Sequence, residues 1–538
     1  MARTLSHWHT MRVTTMREQT MNELVSINPA TLEEIGRIPI TTEEELDQAV
    51  RNADSAFAQW KTDRTYRQEL LHSCALELTR RSAEIVPLLV KEQGKTAIEA
   101  GGEMWVSAKN FTHAAQIDWA DEEFGPDVVG RTARIQRVPL GVVAAIVPWN
   151  FPVFLMVAKI APALAAGNTV VVKPAESVSL VVDKVVEVLA AILPEGVIQV
   201  VHGGPAIGKA LVEHPLIRKV TFTGSTGVGK LIMKQAAEAI TPVTLELGGN
   251  DPAIVLDDAD IASTAQFLVN SAFFNAGQMC VAPKRAYVPE GKVDEFCRIF
   301  SELMARLTVG DGLAPGTGMG PLHSKAQLAF VQGLLDKAVA GGATIVAGGK
   351  PGTDLPGYFL EPTLVCGVDD SAEIVALEQF GPVFPVVAYS SLDEVIATVN
   401  AQEFGLGASV WGADEAAATA VAERIDAGSV WVNQHNALEV ELPFGGTKSS
   451  GFGREGGLAG IEDFLQTRVI SAYFLNHKAF GVALTSSGPN FGIRSSLELT
   501  CLSSPTGVRK GSISWSGSHR HQCLADKQDI CELGRHEQ

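Results

Sequence analysis

Alternation between short β-rich runs and helical stretches fills the sequence from residue 142 to residue 433, and it restricts the fold more than any other feature. The runs form two series, the first at 142–147, 169–172, 197–201, 219–221 and 243–245, and the second at 253–256, 285–288, 344–346, 383–389, 409–411 and 429–433. Strands separated by helices pair in parallel, because each helix returns the chain to the same edge of the sheet. The sequence therefore predicts an α/β fold with two doubly wound units that face each other across a cleft.

The composition excludes several kinds of partner. A formal net charge of −18 disfavours nucleic acid and anionic membranes, since both bind basic surfaces. The apolar run 138–166 contains Pro148 and Lys159, so it predicts a buried strand and helix and not a membrane span. The seven cysteines form no CxxC pair, and the twelve histidines form no metal-binding pattern on a predicted helix. We therefore expect no nucleic acid, no membrane and no metal.

The two ends of the chain differ from its middle. Residues 1–22 carry Arg3, Arg12 and Arg17, a charge pattern shared with mitochondrial transit peptides, but they lack an amphipathic stripe. Residues 476–538 are rich in Ser and Gly and lack the apolar content of a core. We expect both segments to be disordered, and we expect a cytoplasmic protein, with a mitochondrial location as the alternative.

Cys280 is the candidate nucleophile. It follows the turn Gly277-Gln278-Met279, which has no bulky β-branched residue and leaves room for a substrate carbonyl beside the sulfur. An isolated cysteine is more often an inert small hydrophobe, so the prediction depends on the polar residues that accompany it.

Glu246 and Asn150 are the polar residues that most resemble catalytic groups. Glu246 ends a predicted strand between two leucines, and burial there raises a carboxyl pKa toward the range of a general base. Asn150 lies between Pro148 and Pro152, where a rigid amide donor suits the stabilisation of an oxyanion. The alternatives are an acid that caps the next turn and an asparagine that bonds its own backbone.

A glycine-rich segment follows the predicted strand 219–221 and opens a helix. Its Gly224, Ser225 and Gly229 place backbone amides where a phosphate could bind at the helix N-terminus. The spacing also fits a triphosphate-binding loop, but Leu231 stands where that loop needs a hydroxyl for magnesium. A dinucleotide bound without metal is therefore favoured.

Two further strand ends carry acids that suit ribose hydroxyls. Lys173 and Glu176 follow one strand, and an acid at such a position holds a ribose in dinucleotide sites. Glu378 lies close to the aromatic ring of Phe380 and could hold a second ribose. Either group alone is equally typical of a solvated charge or a turn.

The ordered motifs resemble those of the NAD(P)-dependent aldehyde dehydrogenase superfamily over about 27–473. They are PWNFP at 148–152, KPAE at 173–176, FTGST at 222–226, LELGG at 245–249, GQMC at 277–280, EQFGP at 378–382 and PFGGTKSSGFGRE at 443–455. The resemblance implies that Cys280 is the nucleophile, Glu246 the general base, and Asn150 with the Cys280 backbone N–H the oxyanion hole. It also implies contacts to NAD, or to NADP, from Lys173 and Glu176 at the adenosine ribose, Ser225 and Trp149 at the pyrophosphate, and Glu378 and Phe380 at the nicotinamide ribose.

The resemblance also implies a domain organisation. A Rossmann-like cofactor domain would comprise 23–117 and 140–248, and a catalytic domain 249–463. A small β oligomerisation element would comprise 118–139 and 464–475, which agrees with the edge-strand pattern of residues 464–473 and indicates a homodimer or homotetramer. Two features depart from the family: Asn250 replaces a lysine that often follows the two glycines, and the tail after Asn476 has no counterpart.

The substrate is less constrained than the reaction. Phe151, Phe154, Leu155 and Ala158 recur at helical spacing and could line a substrate tunnel, although such a stripe is more often core. The small Ala158 and the lack of an arginine in this stripe favour an apolar or aromatic aldehyde, and His435 could add a polar contact. A semialdehyde dehydrogenase and a non-catalytic member of the same family are the alternatives.

Overall fold

The computed structural model describes residues 23–125, 131–350 and 355–473. The predicted disordered segments 1–22 and 476–538 lie outside these residues. The chain divides into two compact units. Of the described residues, the larger unit contains 23–122, 135–350 and 355–469, and the smaller contains 123–125, 131–134 and 470–473.

The chain begins with an antiparallel hairpin and three helices. The hairpin consists of β1 (Glu23–Ile27) and β2 (Glu34–Pro39), and the helices are α1 (Glu43–Trp60), α2 (Arg64–Gln93) and α3 (Ala97–Gln116). Thr42 caps α1 in a capping box with Glu45, whose side chain accepts from the Thr42 backbone N–H at 2.8 Å. The short β3 (Glu122–Phe124) and the longer β4 (Arg131–Pro139) follow.

The first parallel sheet contains the first predicted series of strands. Its elements are β5 (Val142–Ile146), α4 (Pro152–Ala166), β6 (Thr169–Lys173), α5 (Ser179–Ala190), β7 (Ile198–Val200), α6 (Pro205–Glu213), β8 (Ile217–Thr223), α7 (Thr226–Glu238) and β9 (Val243–Glu246). The parallel strands lie in the order β9-β8-β5-β6-β7. The order reverses between β8 and β5, which is the point where open α/β sheets bind ligands.

The second sheet contains the second series. Its elements are β10 (Asp251–Val255), α8 (Ile261–Ala272), β11 (Pro283–Pro289), α9 (Val293–Met304), α10 (Lys325–Ala340), β12 (Thr344–Ala347), β13 (Thr363–Cys366), α11 (Glu373–Ala376), β14 (Val383–Tyr389), α12 (Leu392–Ala401), β15 (Phe404–Gly405), β16 (Gly407–Trp411), α13 (Glu415–Ala422) and β17 (Ser429–Val432). The order is β12-β13-β14-β11-β10-β16-β17, with β15 outside this sheet and β12 antiparallel to its neighbour.

The last elements connect back to earlier ones. They are β18 (Thr447–Lys448), β19 (Gly451–Phe452), α14 (Gly457–Glu462) and β20 (Leu465–Tyr473). β18 pairs with β15, and β19 adds an antiparallel strand to β9 at the edge of the first sheet. β20 lies at the edge of a three-stranded sheet in the order β20-β4-β3.

The predicted α/β class with two mostly parallel sheets is confirmed. β5 and β6 are buried along their whole lengths, because helices cover both faces of the sheet. The strand β13 was not predicted: its four residues follow a proline and carry no alternation, so the pattern alone did not reveal it. No helix within the described residues is both long and apolar enough to span a bilayer.

Candidate active site

Cys280 lies in a tight loop, here called the thiol loop (274–282), that enters β11. A 3₁₀ turn over Phe274–Gly277 opens this loop, and Asn275 and Ala276 both adopt positive φ angles, of 51° and 53°. Gly277 also has a positive φ, and a Cβ there would lie 2.3 Å from the Gly381 carbonyl oxygen. Only glycine therefore permits this close passage of the backbone.

The Cys280 thiol is partly exposed and is surrounded by charged groups. Burial raises its pKa to about 12, and the carboxylates of Glu378, Asp251 and Glu246 add to this rise. Lys284 acts in the opposite direction. The sulfur is therefore protonated at neutral pH unless a base removes its proton or a cation favours the thiolate.

Asn150 lies beside the thiol loop at the carboxyl end of β5. Its Nδ2 donates to the Gln278 carbonyl at 3.1 Å. Its own carbonyl oxygen accepts from Lys95 Nζ at 2.9 Å and from Asn275 Nδ2 at 3.0 Å. The position of Asn150 is thus fixed by the hydrogen bonds to its backbone carbonyl, and its side-chain amide contacts Gln278, two residues before Cys280.

Lys95 and Glu103 form a buried ion pair that supports this arrangement. Glu103 Oε1 accepts from the backbone N–H groups of Val153 at 2.8 Å and Phe154 at 3.1 Å, and so satisfies the first turn of α4 from outside the helix. Sequence reasoning missed both residues, since Glu103 in an amphipathic helix and Lys95 in the turn between α2 and α3 both normally predict a solvated charge.

Glu246 ends β9 and is only 4% exposed. Neither carboxylate oxygen has a hydrogen-bond partner among the described residues. Burial raises its pKa well above the ordinary value, with a further contribution from Glu455, whereas Lys159 and Arg454 lower it. A Cβ on Gly445 would lie 2.9 Å from Glu246 Oε1, so the backbone closely approaches the carboxylate.

The same strand end meets the thiol loop through backbone contacts. A Cβ on Gly249 would lie 2.5 Å from the Cys280 carbonyl oxygen. Glu378 Oε1 accepts from the Gly249 N–H at 2.9 Å. Gly249, three residues after Glu246, therefore contacts both the thiol loop and the predicted site residue Glu378.

The residues predicted to hold an adenosine ribose lie at the end of β6. Lys173 is buried, and its Nζ donates to the Pro174 carbonyl at 3.0 Å. Glu176 is exposed, and a Cβ on Gly204 would lie 3.1 Å from its Oε1. The first turn of α6 thus approaches this carboxylate without a side chain in between, which leaves an open polar surface.

The predicted phosphate loop opens α7. Ser225 is the N-cap, and its Oγ accepts from the Val228 N–H at 3.4 Å. A Cβ on Gly229 would lie 2.4 Å from Leu247 Cδ2, so this glycine is needed for packing of α7 as well. Gly224 lies against the ring of its neighbour Phe222, where a Cβ would clash at 2.4 Å.

Trp149 and Phe380, which come from different sheets, meet edge to face with ring centroids 5.6 Å apart. Trp149 also stacks on His323 at 4.5 Å, and the Nε2 of His323 lies 2.6 Å from Ser177 Oγ. Burial lowers the His323 pKa to about 4, so the ring is neutral. His323 was missed from the sequence because nothing near it marks a motif.

The predicted substrate residues lie in two places, at α4 and at His435. Phe154 and Leu155 on α4 are half-buried, whereas Ala158 on α4 and Phe151, just before the helix, are buried. His435 is buried, with Nδ1 2.8 Å from Ser409 Oγ and Nε2 2.8 Å from the Val281 carbonyl oxygen. Both ring nitrogens thus have protein partners, which gives His435 a supporting contact to the thiol loop.

Comparisons with known proteins agree on one class, oxidoreductases that act on aldehydes. The chain belongs to the aldehyde dehydrogenase family, whose model matches residues 15–470. A phenylacetaldehyde dehydrogenase of Pseudomonas fluorescens is 38% identical over 464 residues, which cover 83% of this chain and 92% of that protein.

Solved structures share the fold. An E. coli NADP-dependent enzyme is 35% identical with a TM-score of 0.82, over 84% of this chain and 95% of that one. A betaine aldehyde dehydrogenase of Staphylococcus aureus, solved in complex with NAD+, is 32% identical with a TM-score of 0.82, over 86% of this chain and 94% of that one. The family and these neighbours support the use of NAD or NADP.

Proposed function

We propose that the protein oxidises an aldehyde to the carboxylic acid, with Cys280 as the nucleophile, Glu246 as the general base and Asn150 with the Cys280 N–H as the oxyanion hole. The observation that carries this proposal is the Glu246 carboxylate, which is buried beside the thiol loop and has no hydrogen-bond partner for either oxygen in the part of the chain that the structure describes. A buried acid without partners is costly in a fold, and such groups cluster at functional sites.

The proposed chemistry begins with removal of the thiol proton by Glu246. The raised pKa of Glu246 suits this transfer, because a carboxylate of ordinary pKa would be a poor acceptor, and the raised pKa of the thiol makes such a base necessary. The sulfur then adds to the aldehyde carbon, and the Asn150 Nδ2 and the Cys280 N–H stabilise the developing oxyanion. Loss of a hydride from the substrate carbon of this adduct leaves a thioester, and Glu246 then activates a water that releases the acid. NAD(P)+, when bound, accepts the hydride that leaves the substrate carbon.

We propose that the dinucleotide lies along the carboxyl ends of the first sheet, with NAD preferred over NADP. The exposed Glu176 carboxylate, which the Gly204 backbone approaches closely, fits a ribose that carries two free hydroxyls. The same charge would repel a 2′-phosphate. A Cβ on Gly248 would lie 2.7 Å from Glu378 Oε2, so the backbone leaves a cradle beside the second acid as well.

We propose an apolar or aromatic aldehyde as substrate. Phe154 and Leu155 are partly exposed on α4, which begins directly after Asn150. The similarity to a phenylacetaldehyde dehydrogenase supports this preference. Kinetics with benzaldehyde, hexanal and succinate semialdehyde test it: we expect the first two to be used with the higher kcat/KM, and a strong preference for the semialdehyde would refute it.

We also propose that the protein forms a homodimer or homotetramer through β20. This strand of nine residues lies at a sheet edge and is largely exposed, which leaves it able to pair with another copy. Light scattering after gel filtration should give a multiple of the 57.1 kDa chain mass. A monomer would contradict this assignment and would leave the proposed chemistry unaffected.

Replacement of the thiol tests the central proposal. In Cys280→Ser, we expect NADH formation to fall by on the order of 10³-fold or more, because the hydroxyl is a far weaker nucleophile, while NAD+ binding persists. The half-buried Cys366→Ser is the matched control and should keep full activity. A Cys280→Ser enzyme that still turns over would remove this sulfur from the mechanism.

A further inference from the structure

Lys284 is a buried cation directly beneath the thiol loop. It lies at the start of β11, four residues after Cys280, and is 2% exposed. Its Nζ donates to the Met279 carbonyl and lies 3.5 Å from the Gly277 carbonyl oxygen. It also lies 5.4 Å from the centroid of the Phe380 ring. The side chain therefore folds back under the loop that carries the sulfur.

A buried ammonium is costly unless it is compensated, so its position calls for an explanation. Among the described residues its hydrogen bonds go to carbonyl groups of the thiol loop and to no carboxylate. Burial lowers the pKa of Lys284, and Glu378 and Asp251 oppose this effect only through their charges. Lys284 is therefore not half of an ordinary structural ion pair.

His435 holds the other side of the same loop without a charge. Trp411 Nε1 donates to Ser409 Oγ at 2.9 Å, and Ser409 Oγ lies 2.8 Å from His435 Nδ1. This order leaves Nε2 to donate to the Val281 carbonyl at 2.8 Å. Burial lowers the His435 pKa to about 3, so the ring is neutral. The carbonyls on either side of Cys280 are thus held by one cation and one neutral ring.

The charges around the sulfur make the cation significant. Three carboxylates, Glu378, Asp251 and Glu246, disfavour a thiolate at Cys280, and Lys284 opposes them. We propose that Lys284 is a positioning residue for the reaction, which holds the Met279 carbonyl and supplies the positive charge that lets the Cys280 sulfur ionise. This inference rests on the proposed role of Cys280 as the nucleophile.

The pH dependence of alkylation measures the thiolate directly. The full-length protein without added dinucleotide is treated with iodoacetamide between pH 6 and 10, and mass spectrometry follows modification of the peptide that contains Cys280. In Lys284→Met, which keeps length and removes charge, we expect the curve of alkylation rate against pH to shift by at least about one unit toward higher pH. The rate at pH 8 should then fall about tenfold or more. Cys280→Ser supplies the blank.

A second variant changes the charge without touching the loop carbonyls. Asp251→Asn removes one carboxylate, and its amide oxygen can still accept from the Gly407 N–H, as Asp251 Oδ1 does at 3.1 Å. We expect the curve of alkylation rate against pH to shift toward lower pH, opposite to the shift in Lys284→Met. Asp251→Asn decides the matter if Lys284→Met does not fold.

Three outcomes separate the possible failures. Wild-type alkylation profiles in Lys284→Met, or in Asp251→Asn if the lysine variant does not fold, would overturn the role of Lys284. Shifts in the same direction for both variants would also overturn it, since packing and not charge would then be responsible. Opposite shifts in alkylation support it even if Cys280→Ser proves active, a result that would refute the proposed nucleophile and not the charge effect.

Discussion

Two buried glutamates show how a structural carboxylate differs from a candidate catalytic one. Glu92 on α2 is 0% exposed and Glu246 is 4% exposed, and burial raises the pKa of both. Glu92 accepts from Ser26 Oγ, from the Leu180 N–H at 2.9 Å and from the Val181 N–H at 2.7 Å. It therefore caps the start of α5, whereas Glu246 accepts from no donor among the described residues. A buried carboxylate with both oxygens unpartnered is therefore the better candidate for a catalytic role.

The largest expected effect is on catalysis at Glu246. In Glu246→Gln we expect kcat to fall by about 10²- to 10⁴-fold, the usual contribution of a general base. We expect no loss of stability, because the substitution removes a buried charge that has no partner. Steady-state kinetics and thermal unfolding measure the two effects. Normal kcat in this variant would break the comparison with Glu92.

Asn150 combines a structural role, like that of Glu92, with a proposed catalytic one, like that of Glu246. Its backbone carbonyl is held by two side chains, whereas we propose that its Nδ2 also donates to the substrate oxyanion. Asn150→Ala removes the Nδ2 donor but leaves the carbonyl that Lys95 and Asn275 hold. We expect kcat to fall by about 10²- to 10³-fold, the usual cost of one oxyanion-hole donor. A variant that lost only affinity for the aldehyde, with kcat intact, would assign this side chain to substrate binding.

A change at Glu92 should affect stability and leave catalysis unchanged, the reverse of the effect expected at Glu246. In Glu92→Gln an N–H group replaces one acceptor oxygen, so we expect a loss of about 1–3 kcal/mol in the free energy of unfolding at pH 6. The kcat of the folded enzyme should not change. The exposed Glu373, which pairs with Lys337 at 2.7 Å, is the matched control, and Glu373→Gln should cost less than about 1 kcal/mol. Equal costs would show that the cap of α5 contributes little.

The smallest effect is a pH dependence of stability from Glu92. Its pKa rises from 4.5 to about 7 on folding, so the folded state binds more protons than the unfolded state between these values. Its contribution is therefore greatest at low pH and is lost as pH rises toward 7. The stability difference between wild type and Glu92→Gln should decrease by on the order of 2 kcal/mol from pH 5 to pH 8. A constant difference would contradict the raised pKa.

The parts of the site that follow strands could be predicted from sequence, and the parts that support them could not. Cys280, Glu246 and Asn150 stand in short motifs next to β-rich runs, so local pattern revealed them. Lys95 contacts Asn150 across 55 positions, and no periodicity encodes such a contact. Lys284 was overlooked for a different reason: it lies just before the predicted run 285–288, where a lysine is typical of an exposed position.

The strand boundaries show the same limit. The predicted run 383–389 matches β14, but 219–221 extends to Ile217–Thr223, because the buried Ile217, Phe222 and Thr223 continue the strand on both sides of the predicted run. His435 was expected to face a substrate. Its observed partners lie on β16 and in the thiol loop, and their positions depend on how these two segments pack.

The hydrogen bond from Lys284 to the Met279 carbonyl has a geometric effect in addition to its effect on charge. That carbonyl and the Cys280 N–H belong to a single planar peptide group, in which the two bonds point in opposite directions. Fixing the oxygen therefore also fixes the direction of the hydrogen. Lys284 therefore also orients the Cys280 N–H at the opposite edge of the peptide group. The sulfur and the N–H that we propose to act on the same substrate carbonyl thus both depend on this one lysine.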